Sequence, residues 1–137
     1  MVRFRFACLG ILTGLLTLSG CGGSSDLPSL GTVDGVVKLD GEPLEGVQVT
    51  FAPADKEGRV SFGMTDDSGY YSLKYSNNAR GAVLGTHEVT MLTPLPGDLM
   101  PDEKFVERVP KKYQFESTLI ATVDEGSNEI DFDLESY

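Results

Sequence analysis

The chain is poor in the residues that most enzyme chemistry needs. Its 137 residues include one histidine, His87, two cysteines, Cys8 and Cys21, and no tryptophan. Zinc hydrolysis requires several His or Cys ligands, and nucleophilic catalysis requires a nucleophile beside a base. The Gly-x-Ser-x-Gly pattern of a nucleophile elbow does not occur either. We therefore expect no catalytic residue, no metal site and no cofactor, and hence a protein that is not an enzyme.

Positive charge is also scarce. The sequence has 11 Lys and Arg against 21 Asp and Glu, which gives a formal net charge of -10 at pH 7. A nucleic-acid partner is not expected, because phosphate binding requires a basic face.

Both cysteines lie near the N-terminus, so no disulfide can cross-link the rest of the chain.

Only one long apolar run is present, and it is short for a membrane helix. Arg3 and Arg5 precede an almost wholly apolar stretch at residues 7–18. A basic segment followed by a short apolar one is typical of a secretory signal peptide. A membrane-spanning helix needs about 20 apolar residues, so a span is not the first interpretation.

The end of this run carries a specific motif. Leu18, Ser19, Gly20 and Cys21 resemble the lipobox of bacterial lipoproteins. The resemblance implies a signal peptide at residues 1–20 and a diacylglycerol on the Cys21 thiol, which would anchor the protein to a membrane of the cell envelope, on the extracytoplasmic side. The alternative is an ordinary secretory signal with a chance cysteine. Residues 21–31 are rich in Gly and Ser and predict a flexible tether.

Strand patterns fill most of the remaining sequence. Val47, Val49 and Phe51 alternate with polar or small residues, which is the period of a strand with one buried face. Asp40 and Gly41 come before that run and predict a tight turn. Similar patterns predict strands at residues 33–39, 47–52, 60–65, 70–75, 86–92, 119–123 and 130–134. The expected core comprises Val37, Val47, Val49, Phe51, Leu73, Val89, Phe132 and Leu134.

Three motifs resemble those of carboxypeptidase regulatory-like domains. Residues 33–51 read Val-x-Gly-x-Val-x-x-x-Gly-x-Pro-Leu-x-Gly-Val-x-Val-x-Phe. Residues 65–73 read Thr-Asp-x-x-Gly-x-Tyr-x-Leu, and residues 85–89 read Gly-x-x-x-Val. The resemblance implies an all-β fold over residues 32–137, namely a seven-stranded Greek-key sandwich of the Ig-like or transthyretin-like type. It also implies an accessory or adhesive module instead of a catalyst.

Three local features each have two interpretations. Residues 66–69 predict a turn, with a calcium loop as the alternative because Asp66 and Asp67 are close together. His87 shares a face with Val89 and is expected to pack in the core instead of binding a ligand. The outward positions of the last strand are acidic and form either a solvated face or a docking stripe for a basic partner or a cation. These positions are Glu129, Asp131, Asp133 and Glu135.

Residues 93–117 differ from the rest because they hold four prolines and show no alternation. Pro101 predicts the start of a short helix that runs to Val109. Long segments without strands are often functional, so the basic residues here are candidate partner-binding residues. These candidates are Lys104, Arg108, Lys111 and Lys112, with Tyr113 beside them. The alternative is a crossover that covers an open end of the sandwich, with Phe105 and Tyr113 packed inward.

Two hypotheses for function follow. The first is a non-catalytic lipoprotein of the cell envelope whose sandwich is a structural or protein-interaction module, with an envelope protein as its partner. The second is a ligand-binding accessory module, for example for carbohydrate, with Tyr70 or Tyr75 as the platform. The absence of tryptophan weighs against sugar stacking.

Overall fold

The computed structural model describes residues 26–97 and 104–137, and this part of the chain is built almost entirely from strands. It contains twelve short strands and one 3₁₀ helix. In chain order they are β1 Leu30–Leu39, β2 Glu42–Pro43, β3 Gln48–Pro53, β4 Ser61–Met64, β5 Tyr70–Ser72, β6 Lys74–Ser76, β7 Ala79–Arg80, β8 Ala82–Val83, β9 Gly85–Leu92, the 3₁₀ helix Lys111–Tyr113, β10 Leu119–Val123, β11 Gly126–Glu129 and β12 Phe132–Leu134.

The first sheet is organised around β1. This strand pairs antiparallel with β2, β5 and β8, and parallel with β11 and β12. The turn into β2 has positive φ at both central residues, 52° at Asp40 and 85° at Gly41, which is the backbone of a tight hairpin. The predicted turn is therefore confirmed. The parallel pairs bring the start of the domain against the end of the chain.

The second sheet has the order β10-β9-β3-β4-β6-β7, and all of its neighbouring strands are antiparallel. β3 is paired on both sides, with Phe51 opposite Ser61 of β4 and opposite Val89 of β9. β5 and β6 are separated only by Leu73, so one stretch of chain contributes to both sheets. β10 and β7 form the edges.

The core lies between the two sheets, as the alternation predicted. All eight residues of the expected core are buried: Val37, Val47, Val49, Phe51, Leu73, Val89, Phe132 and Leu134. The Phe132 ring lies 6.2 Å from the ring of Phe51 and 6.2 Å from that of Tyr71. The Tyr71 hydroxyl donates to the carbonyl of Ile130, which satisfies its polar end inside the core. The all-β sandwich is thus confirmed.

The seven predicted strands all exist, and the structure adds four short ones. The predicted runs correspond to β1, β3, β4, β5 with β6, β9, β10 and β12. The additions are β2, β7, β8 and β11, which are two to four residues long and too short to show a hydrophobic period.

Two predicted boundaries at the β1 end of the sheet are wrong. β1 starts at Leu30, inside the predicted tether, because Leu30 and Gly31 pair with β8. The predicted strands leave residues 124–129 as a connection, yet β11 begins at Gly126. The side chain of Asn128 explains this, since its Nδ2 donates to the carbonyls of Thr32 on β1 and of Asp124.

The predicted helix from Pro101 to Val109 is wrong over its described part. Residues 104–109 have no helical structure. Pro101 lies outside the described residues, as do Cys21 and the predicted signal peptide. Within residues 26–97 and 104–137, no helix has the length and hydrophobicity needed to cross a bilayer.

Candidate functional site

The structure divides the predicted basic residues between two places. Lys104 and Arg108 line a recess of about 260 Å³ together with Thr93, Pro94, Pro96, Phe105 and Val106. We call this the basic recess. Lys112 and Tyr113 instead contact the end of the chain: Lys112 Nζ donates to the Tyr137 carbonyl at 2.7 Å, and the Tyr113 hydroxyl accepts from Glu135 N at 3.0 Å. Lys111 is exposed on the 3₁₀ helix. The five candidates therefore do not form one site.

Glu107 shapes the backbone beside the basic recess. Its Oε1 accepts hydrogen bonds from Thr93 N at 3.0 Å and from Val109 N at 2.9 Å. Burial alone would raise the pKa of Glu107, but the bonds from Val109 and Thr93 outweigh it and hold that pKa below its ordinary value. These bonds replace those that a helix would make, which is the physical reason that residues 104–109 are not helical.

Arg108 serves partly as a structural residue. Its Nη1 donates to the Glu45 carbonyl at 2.9 Å, and its backbone N–H donates to Thr93 Oγ1 at 3.2 Å. Val109 then enters the core, and Tyr113 packs against it. Phe105, which the alternative interpretation packed inward, is 39% exposed. Covering of the core is therefore carried out by Val109 and Tyr113, while Phe105 stays at the surface.

A second concave surface lies on the outer side of β4 and β6. Phe62 and Met64 of β4 point outward, as does Val60 before them, whereas Ser61 and Gly63 are buried. This is the reverse of what hydrophobicity alone would favour. The reason at position 63 is steric: a Cβ on Gly63 would collide with the carbonyl oxygen of Ser72, so no side chain fits there on the inner side of β4.

Two open recesses of about 390 and 330 Å³ run along this surface and share Phe62 and Lys74. We call them together the β4–β6 groove. Its other lining residues are Arg59, Tyr75, Ser76, Asn77 and Asn78 in the first recess, and Gly63, Met64, Asp66, Tyr70 and Ser72 in the second. The sequence did not single out Arg59, Phe62 or Lys74. The available signal was that Val60, Phe62 and Met64 alternate with residues too small to fill a core.

The two tyrosines predicted as a stacking platform differ in solvent exposure. Tyr70 is exposed, and its hydroxyl donates to Asp34 Oδ1 at 3.0 Å, which raises the pKa of Tyr70. Tyr75 is only 9% exposed. Although Tyr75 borders the first recess, so little of it is exposed that a flat ligand cannot stack on its ring, and the prediction for Tyr75 as a platform is wrong.

The remaining predicted features are structural. His87 is buried, its Nε2 lies 2.7 Å from the Val83 carbonyl oxygen, and its ring is 5.6 Å from that of Phe51, which confirms core packing. The Asp66 turn is confirmed, because Asp66 Oδ1 accepts bonds from Ser68 N at 3.0 Å and Tyr70 N at 3.0 Å. No group of three or more His, Cys, Asp or Glu in the described ranges is arranged to hold a metal ion.

The acidic positions around β12 face the solvent. These are Glu129, Asp131, Asp133 and Glu135. Asp131 Oδ1 also accepts a hydrogen bond from Val36 N at 2.8 Å, so this carboxylate helps to hold β1 in the first sheet.

Comparisons with family models, with curated proteins and with solved structures find no match for this chain. The resemblance to carboxypeptidase regulatory-like domains rests on its three motifs.

Proposed function

We propose that this chain is a non-catalytic lipoprotein of the cell envelope. In this proposal a lipid on Cys21 holds the sandwich at a membrane surface, on the extracytoplasmic side, and the sandwich binds a protein partner. The observation that carries the proposal is the basic recess, where cationic and apolar side chains lie exposed together on a protein of net charge -10.

The chemistry of the basic recess suits an acidic protein surface. Three consecutive residues of the recess are exposed, namely Lys104, Phe105 and Val106. Leu95, which lies in sequence between the two lining prolines, is exposed as well. Aromatic residues and arginine are enriched at protein interfaces, and Phe105 and Arg108 supply both in the basic recess. Negative charge elsewhere on the molecule repels an acidic partner, so such a partner is oriented toward the basic recess.

Capture from detergent-solubilised envelope tests the proposal. We expect Lys104→Glu and Val106→Asp to weaken capture of the partner, while the melting temperature stays near that of the wild type because both side chains are exposed. Raising the salt concentration should weaken wild-type capture, since exposed charge pairs are screened.

Lys111→Glu is the matched control. Lys111 is equally basic and exposed, but it does not line the basic recess. If Lys111→Glu and Lys104→Glu reduce capture equally, net charge and not the recess controls binding, and the proposal fails.

A ligand-binding accessory module is the second candidate. It is favoured by the β4–β6 groove, where half-exposed Phe62 offers an apolar ring among polar side chains. Carbohydrate is the ligand class that combines apolar ring faces with many hydroxyls.

A further inference from the structure

We propose that the β4–β6 groove binds an acidic glycan, with Phe62 against the face of a sugar ring and with Arg59 and Lys74 pairing with the carboxylates of the glycan. This inference rests on the ligand-binding candidate above. It is independent of the lipid anchor and of the basic recess.

The shape of the groove indicates an extended ligand. The two recesses share Phe62 and Lys74, so these residues stand at the middle of one continuous, open surface. A linear oligosaccharide can lie across both recesses and present successive rings to them. A small, enclosed ligand would instead require a deep cavity, which surrounds most of its surface.

The charge of the groove selects an anion. Arg59 and Lys74 form no ion pair with any described residue. Arg80, which is in register with Lys74 on the next strand, does pair with Asp34 at 3.4 Å and lines neither recess. Arg59 and Lys74 are thus two cations without an acidic partner among the described residues of a strongly acidic molecule, and their field favours a carboxylate-bearing ligand over a neutral one.

The one acidic residue that lines the groove lies outside the first recess, where Arg59 and Lys74 are. Asp66 lines only the second recess. Its Oδ1 accepts hydrogen bonds from the N–H and the hydroxyl of Ser68, at 3.0 and 2.7 Å, and from Tyr70 N. The carboxylate is therefore committed to its own turn.

Phe62 supplies the apolar contact. Its side chain is 50% exposed and lies directly opposite Lys74 on the neighbouring strand. Side chains that are opposite across two strands are about 5 Å apart at Cβ, so a sugar ring over Phe62 has its carboxylate within reach of the Lys74 ammonium. The side chains of Ser76, Asn77 and Asn78 line the first recess and can bond the hydroxyls.

An acidic peptide fits this surface less well. Extended peptides usually bind a sheet by adding a strand to a free edge. At the centre of the groove β4 has no free edge, because β3 pairs along all of it and β6 pairs with it at Phe62. Recognition here depends on side chains alone, which suits a glycan.

Calorimetric titration of the full chain in detergent solution tests the inference. The probes are hexagalacturonate, neutral cellohexaose and hexaglutamate. We expect hexagalacturonate to bind, the other two to bind at least tenfold more weakly, and its affinity to fall with salt. Phe62→Ala and Phe62→Leu should each weaken binding about two- to twelvefold, the range of aromatic contact energies. Lys74→Glu should weaken it further.

Two control variants should bind as the wild type does. Ile120→Ala removes an exposed apolar side chain from the opposite edge of the same sheet, and Lys38→Glu reverses a charge on the first sheet. An unchanged melting temperature for each variant shows that binding, not folding, is affected.

Three results would overturn the inference. Equal binding of cellohexaose would show that charge is not recognised. Equal binding of hexaglutamate that is insensitive to Phe62→Ala would identify a surface for acidic peptides. If no probe binds, the groove does not bind acidic glycans. None of these results alters capture by the basic recess, which depends on Lys104.

Discussion

Gly63 determines which side of β4 meets the solvent. Its buried position faces the backbone of Ser72, at the point where the chain passes from the first sheet to the second. Because side chains alternate along a strand, the register that puts Gly63 inside puts Phe62 and Met64 on the outer side. A single missing side chain thus gives the β4–β6 groove its apolar ring.

Gly63→Ala should therefore destabilise the fold. The added methyl group meets a backbone oxygen that cannot rotate away, and overpacking of this kind costs about 1–3 kcal/mol. Urea unfolding should show a lower midpoint with little change in slope. Gly97→Ala is the matched control, because nothing lies within 4 Å of a Cβ at that position. Equal midpoints for the two variants would contradict the steric argument.

Among the elements, the strands with strict alternation were predictable and the groove was not. β3 has both the hydrophobic period and the burial that it predicts, because both of its neighbours are strands of the same sheet. β4 also alternates, but the direction of its faces depends on where β5 crosses, and that contact comes from a distant part of the fold. Local pattern therefore identifies a strand, while tertiary contacts choose its buried face.

The segment at residues 104–109 shows the same limit. Pro101 and the acids that follow it favour a helix by local propensity, yet in the non-helical segment Glu107 is bonded to two backbone N–H groups. Propensity is a weak preference that such tertiary bonds override. Lys104 and Arg108 line the basic recess, whereas Lys112 and Tyr113 contact the end of the chain, and no local pattern in the sequence distinguishes these two pairs.

Glu107 makes the stability of this segment depend on pH. Its pKa is lowered by folding, so its contribution is fully present above its unfolded value near 4.5 and is lost as the pH falls through the lower, folded value. We expect Glu107→Gln to lower the free energy of unfolding by about 1 kcal/mol at pH 7, since a neutral amide is a weaker acceptor.

The comparison of urea melts at pH 7 and pH 3 checks this expectation. The difference between wild type and Glu107→Gln should shrink at pH 3. Glu116→Gln should show no such change, because the Glu116 side chain is exposed and makes no hydrogen bond within the described residues. A difference for Glu107→Gln that is the same at both pH values would contradict the electrostatic explanation.

At the scale of the whole molecule, the proposed lipid anchor would hold the basic recess and the β4–β6 groove at a membrane surface. Each buried methylene contributes about 0.8 kcal/mol, and stable attachment usually takes two chains, which a diacylated Cys21 supplies. Cys21→Ser should move the protein into the soluble fraction or leave it unprocessed. Metabolic labelling with a palmitate analogue should mark the wild type and not the variant. Absence of label on the wild type would refute the anchor, while the groove titration would be unaffected.

The parallel pairing of β1 with β11 and β12 has a consequence for the time course of folding. Gly31 pairs with Gly126, and Val37 with Phe132, so the first strand to be synthesised takes two of its neighbours from the last residues of the chain. Contacts this distant in sequence are slow to form, because a long loop must close before they contribute any stability. A nascent chain that lacks its C-terminal residues can assemble β3, β4 and β9, but β1 must wait. β1 is therefore made early, but the first sheet is completed only after its parallel partners β11 and β12 have been synthesised.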